Sequence, residues 1–311
     1  MNYSMNVNWP NPAMVGYVDM TATGSMSLIT QEQIQNYNVV VWGFANTDGT
    51  VDADSMAAAQ TLMELQTAGT LNLISAGGAA GSLILDNNTI VNLVTTVQTY
   101  DLDGVDLDLE DASITLDKLQ PFVSGLQIAL GTRYALTFAP QLAGTSTAPT
   151  LNIPDGGIDL TPIFAQPGFS AILVQAYNSG LDFVYPLPGD PSQSVAENDP
   201  NIIAAAYNAL QQNGGIASSN LIVIGIPSNA GGAPTASNLW DTRDYNGIPP
   251  QIEANLADIT NGSNGIDNGQ FGGLMTWSLN TDADPSAYPP YTGATNGPVG
   301  YFAANVAPLV I

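Results

Sequence analysis

Cysteine and histidine are absent from the 311 residues, and the basic side chains number three: Lys118, Arg133 and Arg243. Without cysteine there is no disulfide, no thiolate nucleophile and no cysteine-ligated metal, and the redox compartment stays open. Without histidine, catalysis has to rest on carboxylates, hydroxyls or aromatic rings. The 27 Asp and Glu side chains are an ordinary number for this length, so the formal charge of -24 reflects missing cations rather than surplus acid. Such a chain repels nucleic acid and anionic membranes, which excludes both as expected partners. No apolar run reaches the roughly 20 residues that cross a bilayer, and residues 1–14 show neither the charged nor the apolar region of a signal peptide. A soluble protein is expected.

What is present is enough to build a large core. Hydrophobic residues make up 45% of the chain and charged ones 10%, a composition that folds rather than stays disordered. Short Val-, Ile- and Leu-rich runs recur at residues 14–18, 39–44, 71–75, 104–110, 135–139, 171–177, 221–226 and 273–279. Strands buried on both faces have this character. Helical patterns fall between them at residues 31–37, 55–68, 88–100, 116–130, 200–213 and 248–259, with Asp54 and Asp199 as N-cap candidates and Gly69 as a stop signal. The alternation predicts an α/β fold, a (β/α)8 TIM barrel in one domain over residues 1–311 with an N-terminal extension at 1–12. The crossover from 139 to 171 carries only a weak helical turn at 161–165, which keeps a doubly wound open sheet as the alternative. Residues 179–191 read as a loop, 282–296 as turn-rich and exposed, and 298–311 as a closing helix.

The run Asp103-Gly-Val-Asp-Leu-Asp-Leu-Glu110 carries the chemistry. A strand's period of two sends Asp106, Asp108 and Glu110 to one face and Val105, Leu107 and Leu109 to the other. In a barrel the apolar face meets the helices, so the acidic face points inward with Glu110 at the C-terminal mouth. Three carboxylates side by side in a buried place must share protons and hydrogen bonds, which raises at least one proton affinity. Glu110 is then a candidate general acid, with Asp108 orienting a substrate group and exchanging a proton with Asp106. The competing reading is a calcium loop or a solvated acidic edge. The apolar, strand-like spacers disfavour it.

At these residues the chain resembles the family 18 glycoside hydrolases, whose fourth-strand signature Asp-Gly-x-Asp-x-Asp-x-Glu is matched in full from Asp103 to Glu110. Ser75-Ala-Gly-Gly78 is similar to the family's third strand, Leu136-Thr-Phe-Ala-Pro140 with Gln141 to its fifth, Gln175-Ala-Tyr-Asn178 to its sixth and Gly273-Leu-Met-Thr-Trp-Ser278 to its eighth. The single-domain bacterial and plant class III chitinases are the most similar subgroups, because no stretch before the eighth strand is long enough for a large insertion domain.

The resemblance implies retaining hydrolysis of β-1,4 linkages in chitin or chitooligosaccharides, with the substrate's own N-acetyl group as nucleophile and with no cofactor and no metal. It implies Glu110 as acid and then base, Asp108 holding the acetamido group, Asp106 supporting Asp108, and Tyr177 donating to the acetamido oxygen. Trp277 would floor the reacting sugar, with Tyr17, Phe44, Gln141 and Asn178 lining the cleft. Asp103, Gly104, Ser75, Gly77 and Gly78 are expected to be structural. Two other functions share these residues: an endo-β-N-acetylglucosaminidase acting on N-glycans or peptidoglycan, and a chitin-binding lectin without turnover. N-acetylglucosamine oligosaccharides are the expected partner, a place in a larger assembly stays open, and the expected location is extracellular.

Overall fold

The computed structural model describes residues 7–79, 81–145, 147–154, 157–178, 184–197, 199–233, 249–288 and 296–311. Eight parallel strands close on themselves: β1 (Ala13–Asp19), β2 (Val39–Ala45), β3 (Leu71–Gly77), β4 (Gly104–Asp108), β5 (Ala135–Phe138), β8 (Ala171–Gln175), β11 (Leu221–Pro227) and β12 (Phe271–Trp277). Pairing of β12 with β1 and of β11 with β8 joins the two ends, so the sheet is a (β/α)8 barrel and the open-sheet alternative falls. The strand that bears the carboxylates lies between β3 and β5.

The sheet separates two apolar cores. Outward residues such as Met14, Val18, Val40, Ile74, Val105 and Leu107 pack under the helices, whereas Val15, Val41, Leu73, Ala135, Leu173 and Val223 fill the barrel interior. Period-two alternation thus sorts neighbouring residues of one strand into different cores. Of the extension at 1–12, residues 7–12 are described, and Val7 and Trp9 pack against the interior core. Residues 1–6 lie outside the described ones. Gly104 begins β4 because a Cβ there would come 2.2 Å from the Ala135 carbonyl oxygen, a contact only glycine avoids.

Helices fill the crossovers, with some corrected boundaries. The helix α3 (Ala53–Met63) is capped by Asp52, not Asp54: Asp52 Oδ1 accepts from the Ser55 backbone N–H at 2.8 Å and from its hydroxyl at 2.9 Å. Asp54 falls inside the first turn, and Gly69 serves a separate turn beyond the helix at φ +91°. Asp86 caps α4 (Asn87–Thr99), and α5 spans Leu116–Leu130 as expected. The pattern at 31–37 forms only the short α2 (Gln31–Ile34). The helix α7 (Ile202–Asn213) has Asn201 as its N-cap residue, and Asp199 instead holds the turn before it, accepting from the Asn201 N–H at 2.8 Å. The pattern at 248–259 becomes Pro250–Thr260; Ile248 lies outside the described residues.

Two hairpins contradict the loop expectations. β6 (Gln141–Thr145) pairs antiparallel with β7 (Ala148–Asn152) inside the fifth crossover, before the short helix α6 (Thr161–Phe164). β9 (Val184–Leu187) pairs with β10 (Asp190–Ala196), where Pro and Gly composition suggested a plain loop; residues 179–183 of that stretch lie outside the described ones. Within the stretch 282–296, residues 282 and 283 are corrected: Leu279–Ala283 is a buried helical turn, opened by a Ser278/Thr281 capping box. Residues 284–288 form turns, and 289–295 lie outside the described residues. The expected closing helix at 298–311 forms as Tyr301–Asn305 followed by a 3-10 turn at Ala307–Leu309. Among the described residues no helix is long and apolar enough to cross a membrane.

Asp282, buried, ties that end of the chain down by accepting from the N–H groups of Phe302 at 2.9 Å and Ala303 at 3.1 Å. Burial pushes its carboxyl up from 3.8 to about 6, against the pull of those two donors. A raised carboxyl affinity stabilises the folded chain when protonated, so this contribution is complete below the unfolded value and lost as pH rises through about 6. Its full size is about 3 kcal/mol. The exposed Asp48, Asp52 and Asp117, and the partly exposed Asp111 and Asp190, are lowered by local hydrogen bonds and act in the opposite sense, at lower pH. Thermal midpoints measured by calorimetry should therefore rise as pH falls from neutrality to about 5 and drop again below about 4. Asp282→Asn should blunt the upper part of that rise. Midpoints that climb steadily toward alkaline pH would contradict this account.

Candidate active site

The barrel's register assembles the site in a row. Ser75 of β3, Asp106 of β4 and Thr137 of β5 are cross-strand partners, so their side chains meet inside the barrel at one level. Ser75 Oγ donates to Asp106 Oδ2 at 2.7 Å, Thr137 Oγ1 to Oδ1 at 2.6 Å, and Tyr17 Oη to Oδ2 at 2.8 Å. Three donors converge on one carboxylate that has no solvent exposure. Burial pushes the Asp106 carboxyl above its ordinary value, and the three hydroxyls pull it back.

One layer up, the partner of Asp108 across the register is Gly77, which offers no side chain. Gly77 sits at φ +122°, and a Cβ there would come 2.0 Å from the Asp108 carbonyl oxygen. Among the described residues Asp108 has one side-chain donor: Gln175 Nε2 reaches its Oδ1 at 2.9 Å. The Gln175 amide also donates to the Ala139 carbonyl at 3.0 Å, so both its hydrogens are committed and its orientation is fixed. Burial above all, then repulsion from Glu110 and Asp106, pushes the Asp108 carboxyl well above the usual range. Asp106, with three donors, suits the charge; Asp108, with one, suits the proton. Because Oδ1 accepts from Gln175, that proton belongs on Oδ2.

Strand β4 ends at Asp108, so Glu110 lies just beyond it, half-buried, in the wall of a cleft of about 610 Å³ at the barrel's C-terminal mouth. Tyr177 and Trp277 line the same cleft, as do Phe44, Gln141 and Asn178. Phe44 and Trp277 stack with centroids 5.9 Å apart and planes at 26°, and Tyr17 tilts against Trp277 at 6.0 Å. Gly78 makes room for that platform, since a Cβ there would lie 2.8 Å from the Phe44 ring. Tyr177 is buried beside Met275, its hydroxyl 3.8 Å from the sulfur, and burial with the nearby carboxylates keeps that hydroxyl protonated far above neutrality. Gln141 Nε2 donates to the Asn178 carbonyl at 2.7 Å, bracing the chain just after Tyr177.

The sequence residues therefore separate by depth. Tyr17, expected on the cleft wall, presents its ring there but commits its hydroxyl to Asp106. Ser75, expected to serve close backbone packing, is a direct donor to Asp106. Asp103 lies at the opposite end of β4, where its Oδ2 accepts the Asn72 N–H at 2.7 Å. Thr137 and Gln175 were missed as site residues. The available signal for Gln175 was its place two residues before Tyr177, on the same strand face. Among the described residues no cluster of three or more Asp, Glu, His or Cys side chains could hold a metal.

No family model matches the chain. A chitinase of Enterococcus faecalis is 28% identical over 306 residues, covering 88% of this chain and 79% of the relative. Chitinase Chi52 of Paenibacillus xylanexedens is 25% identical, and the match covers 87% of this chain but 58% of that one. Among solved structures, a Streptomyces coelicolor protein assigned as chitinase A aligns over 96% of this chain and 98% of its own, with TM-score 0.64 and 20% identity. A family 18 chitinase from Cycas revoluta, solved with allosamidin, aligns over 88% and 96% with TM-score 0.56 and 17% identity. These structures share the fold. A closed barrel with inward carboxylates at its mouth, together with such relatives, defines a glycoside hydrolase. Among these relatives the chain is similar to chitinases, the family 18 enzymes included.

The Gln175 contact has a spectroscopic consequence. A donor to a carboxylate favours its charged form, so Gln175→Met should raise the proton affinity of Asp108 further. In an infrared pH titration, the band of the buried protonated carboxyl should persist to higher pH than in the unaltered chain. A band that vanishes at the same or lower pH would count against the contact.

Proposed function

We propose that this barrel is one catalytic unit that hydrolyses β-1,4-linked N-acetylglucosamine chains, chitin or chitooligosaccharides, with retention at the anomeric carbon. The observation that carries this reading is the graded row Asp106, Asp108, Glu110, which runs from full burial to the cleft wall with Tyr177 and Trp277 lining the same cleft. The Cycas revoluta neighbours, solved with (GlcNAc)3 and, as a double mutant, with (GlcNAc)4, support the substrate class.

Glu110 gives its proton to the leaving glycosidic oxygen, and that bond breaks as the substrate's acetamido oxygen attacks the anomeric carbon. Asp108 passes its proton to Asp106 as substrate arrives, accepts the acetamido N–H, and balances the positive charge that develops on the cyclised group. Tyr177 donates to the acetamido oxygen and holds it in line. Trp277 supplies the apolar floor under the sugar, and Phe44 extends it. Glu110, now a carboxylate, takes a proton from water, which opens the cyclic intermediate with overall retention. Specificity for an N-acetylated sugar at the cleavage point follows from this chemistry. Such polymers place the enzyme outside the cell.

Glu110→Gln should lower turnover of chitooligosaccharides by about 10²-fold or more, while oligosaccharide binding by calorimetry persists. Activity equal to that of the unaltered chain would refute the assignment. Retained binding without turnover even before substitution would instead favour a lectin, and cleavage of a high-mannose glycoprotein in preference to chitooligosaccharides would favour the endo-β-N-acetylglucosaminidase reading. A thiazoline analogue of N-acetylglucosamine, which mimics the cyclised acetamido group, should inhibit competitively. Indifference to it at concentrations that saturate substrate binding would argue for an enzyme nucleophile.

A further inference from the structure

The cleft has one acidic group that the mechanism does not use. Asp19 ends β1, two residues beyond Tyr17 and on the same strand face, opposite Gly43 of β2 and so beside Phe44. It lines the cleft and is half-buried. Its backbone is clamped on both sides by Asn280: the Asp19 N–H donates to Asn280 Oδ1 at 2.8 Å, and its carbonyl accepts from Nδ2 at 3.0 Å. Asp19 Oδ1 accepts from the Thr21 N–H and hydroxyl at 2.8 and 2.6 Å. Among the described residues Oδ2 has no hydrogen-bond partner. The carboxylate is therefore anchored through Oδ1, in a residue that lines the cleft, and Oδ2 is left for a ligand.

Charge supplies the second, independent observation. None of the described residues lining the cleft is Lys or Arg, and neither Lys118, exposed on α5, nor Arg133, just before β5, lines it. The whole chain sets 27 carboxylates against three cations. A cleft walled by one sign of charge, in a molecule of the same sign, concentrates oppositely charged ligands and raises their rate of encounter.

We propose that Asp19 is a specificity-determining residue for partly deacetylated substrate: the cleft takes chains in which a glucosamine ammonium pairs with Asp19 Oδ2 while an N-acetylated sugar occupies the cleavage point. This rests on the hydrolase reading above, because the reacting sugar must keep its acetamido group. Glucosamine amines are protonated in mildly acidic solution, the range in which Asp282 favours the folded chain. The same field opposes the lactyl carboxylates of peptidoglycan strands.

The test compares fully acetylated and partly deacetylated chitooligosaccharides of equal length, at about 10 mM and about 500 mM salt. The ratio of kcat/KM for the charged substrate to that for the neutral one should be highest at low salt and fall several-fold at high salt. At low salt, Asp19→Asn should lower that ratio about fivefold, and Asp19→Glu, which keeps the charge, should restore most of it. A ratio insensitive to salt, or one that responds to salt but not to Asp19→Asn, would overturn the proposal. If neither substrate is cleaved, the hydrolase reading fails. Binding of the two oligosaccharides to the Glu110→Gln chain, with and without Asp19→Asn, then decides the Asp19 pairing separately: a preference for the charged chain lost with Asp19→Asn supports it, and equal binding refutes it.

Discussion

Asp106 is a carboxylate with no exposure to water that finds no cation among the described residues of the barrel, and the surrounding residues are arranged around that problem. An unpaired charge in such a place costs several kcal/mol. A hydrogen bond to a charged group returns about 1.5–3 kcal/mol, so the donors from Ser75, Thr137 and Tyr17 are together of the size required. They come from three different strands. The register that aligns Ser75, Asp106 and Thr137 is therefore under chemical as well as packing constraint: a slip of one residue would turn the hydroxyls into the outer core and Asp106 with them.

The charge on Asp106 then sets the state of everything above it. A second carboxylate cannot ionise one layer up without a partner of its own, and Asp108 has only the Gln175 amide. Holding the proton on Asp108 is the cheaper arrangement, and Gln175 decides which oxygen carries it. Glu110, another step up and half exposed, escapes the deepest burial but still lies close enough to raise the proton affinity of Asp108. Three chemically similar groups on one strand face thus meet three different surroundings, set by depth and by the donors each receives. Gly77 makes the gradient possible, because a side chain at that position would collide with the Asp108 backbone.

The parts of this arrangement that follow from periodicity within a strand could be read from the sequence. Alternation in residues 103–110 was enough to put three carboxylates inside and three apolar residues outside, and the recurrence of short apolar runs gave all eight barrel strands. What depends on pairing between distant strands was not readable. Thr137 and Gln175 lie inside motifs that the sequence singles out, but nothing marks them as the donors to Asp106 and Asp108 until the barrel closes. The hairpins at 141–152 and 184–196 were hidden for a related reason. Their Pro, Gly and Ser content suits turns, and each hairpin sends only a few residues, Leu142 and Leu151 or Tyr185 and Val195, into the outer core. Asp282 misled in the opposite direction: an acidic residue among turn formers reads as exposed, yet it is buried because it accepts the first N–H groups of the closing helix. The cap of α3 slipped by two residues, since Asp52 and Asp54 are equally good capping residues and only the geometry chooses between them.

The shortage of cations and the chemistry of the site have a common logic. Most buried carboxylate clusters borrow stability from a nearby arginine or lysine, which also holds the charge fixed during a reaction. Here hydroxyls and an amide take that part, and a hydroxyl donor stabilises negative charge without cancelling it. The cleft is left with net negative potential directed toward its mouth. Positive charge that forms on a reacting sugar, or that a sugar already carries as an ammonium, therefore meets carboxylates that no described Lys or Arg in the cleft neutralises. An arginine beside Asp108 would make the barrel easier to fold and would remove that advantage. The scarcity of basic residues around the site is, on this reasoning, part of how the site is tuned, whatever set the composition of the rest of the surface.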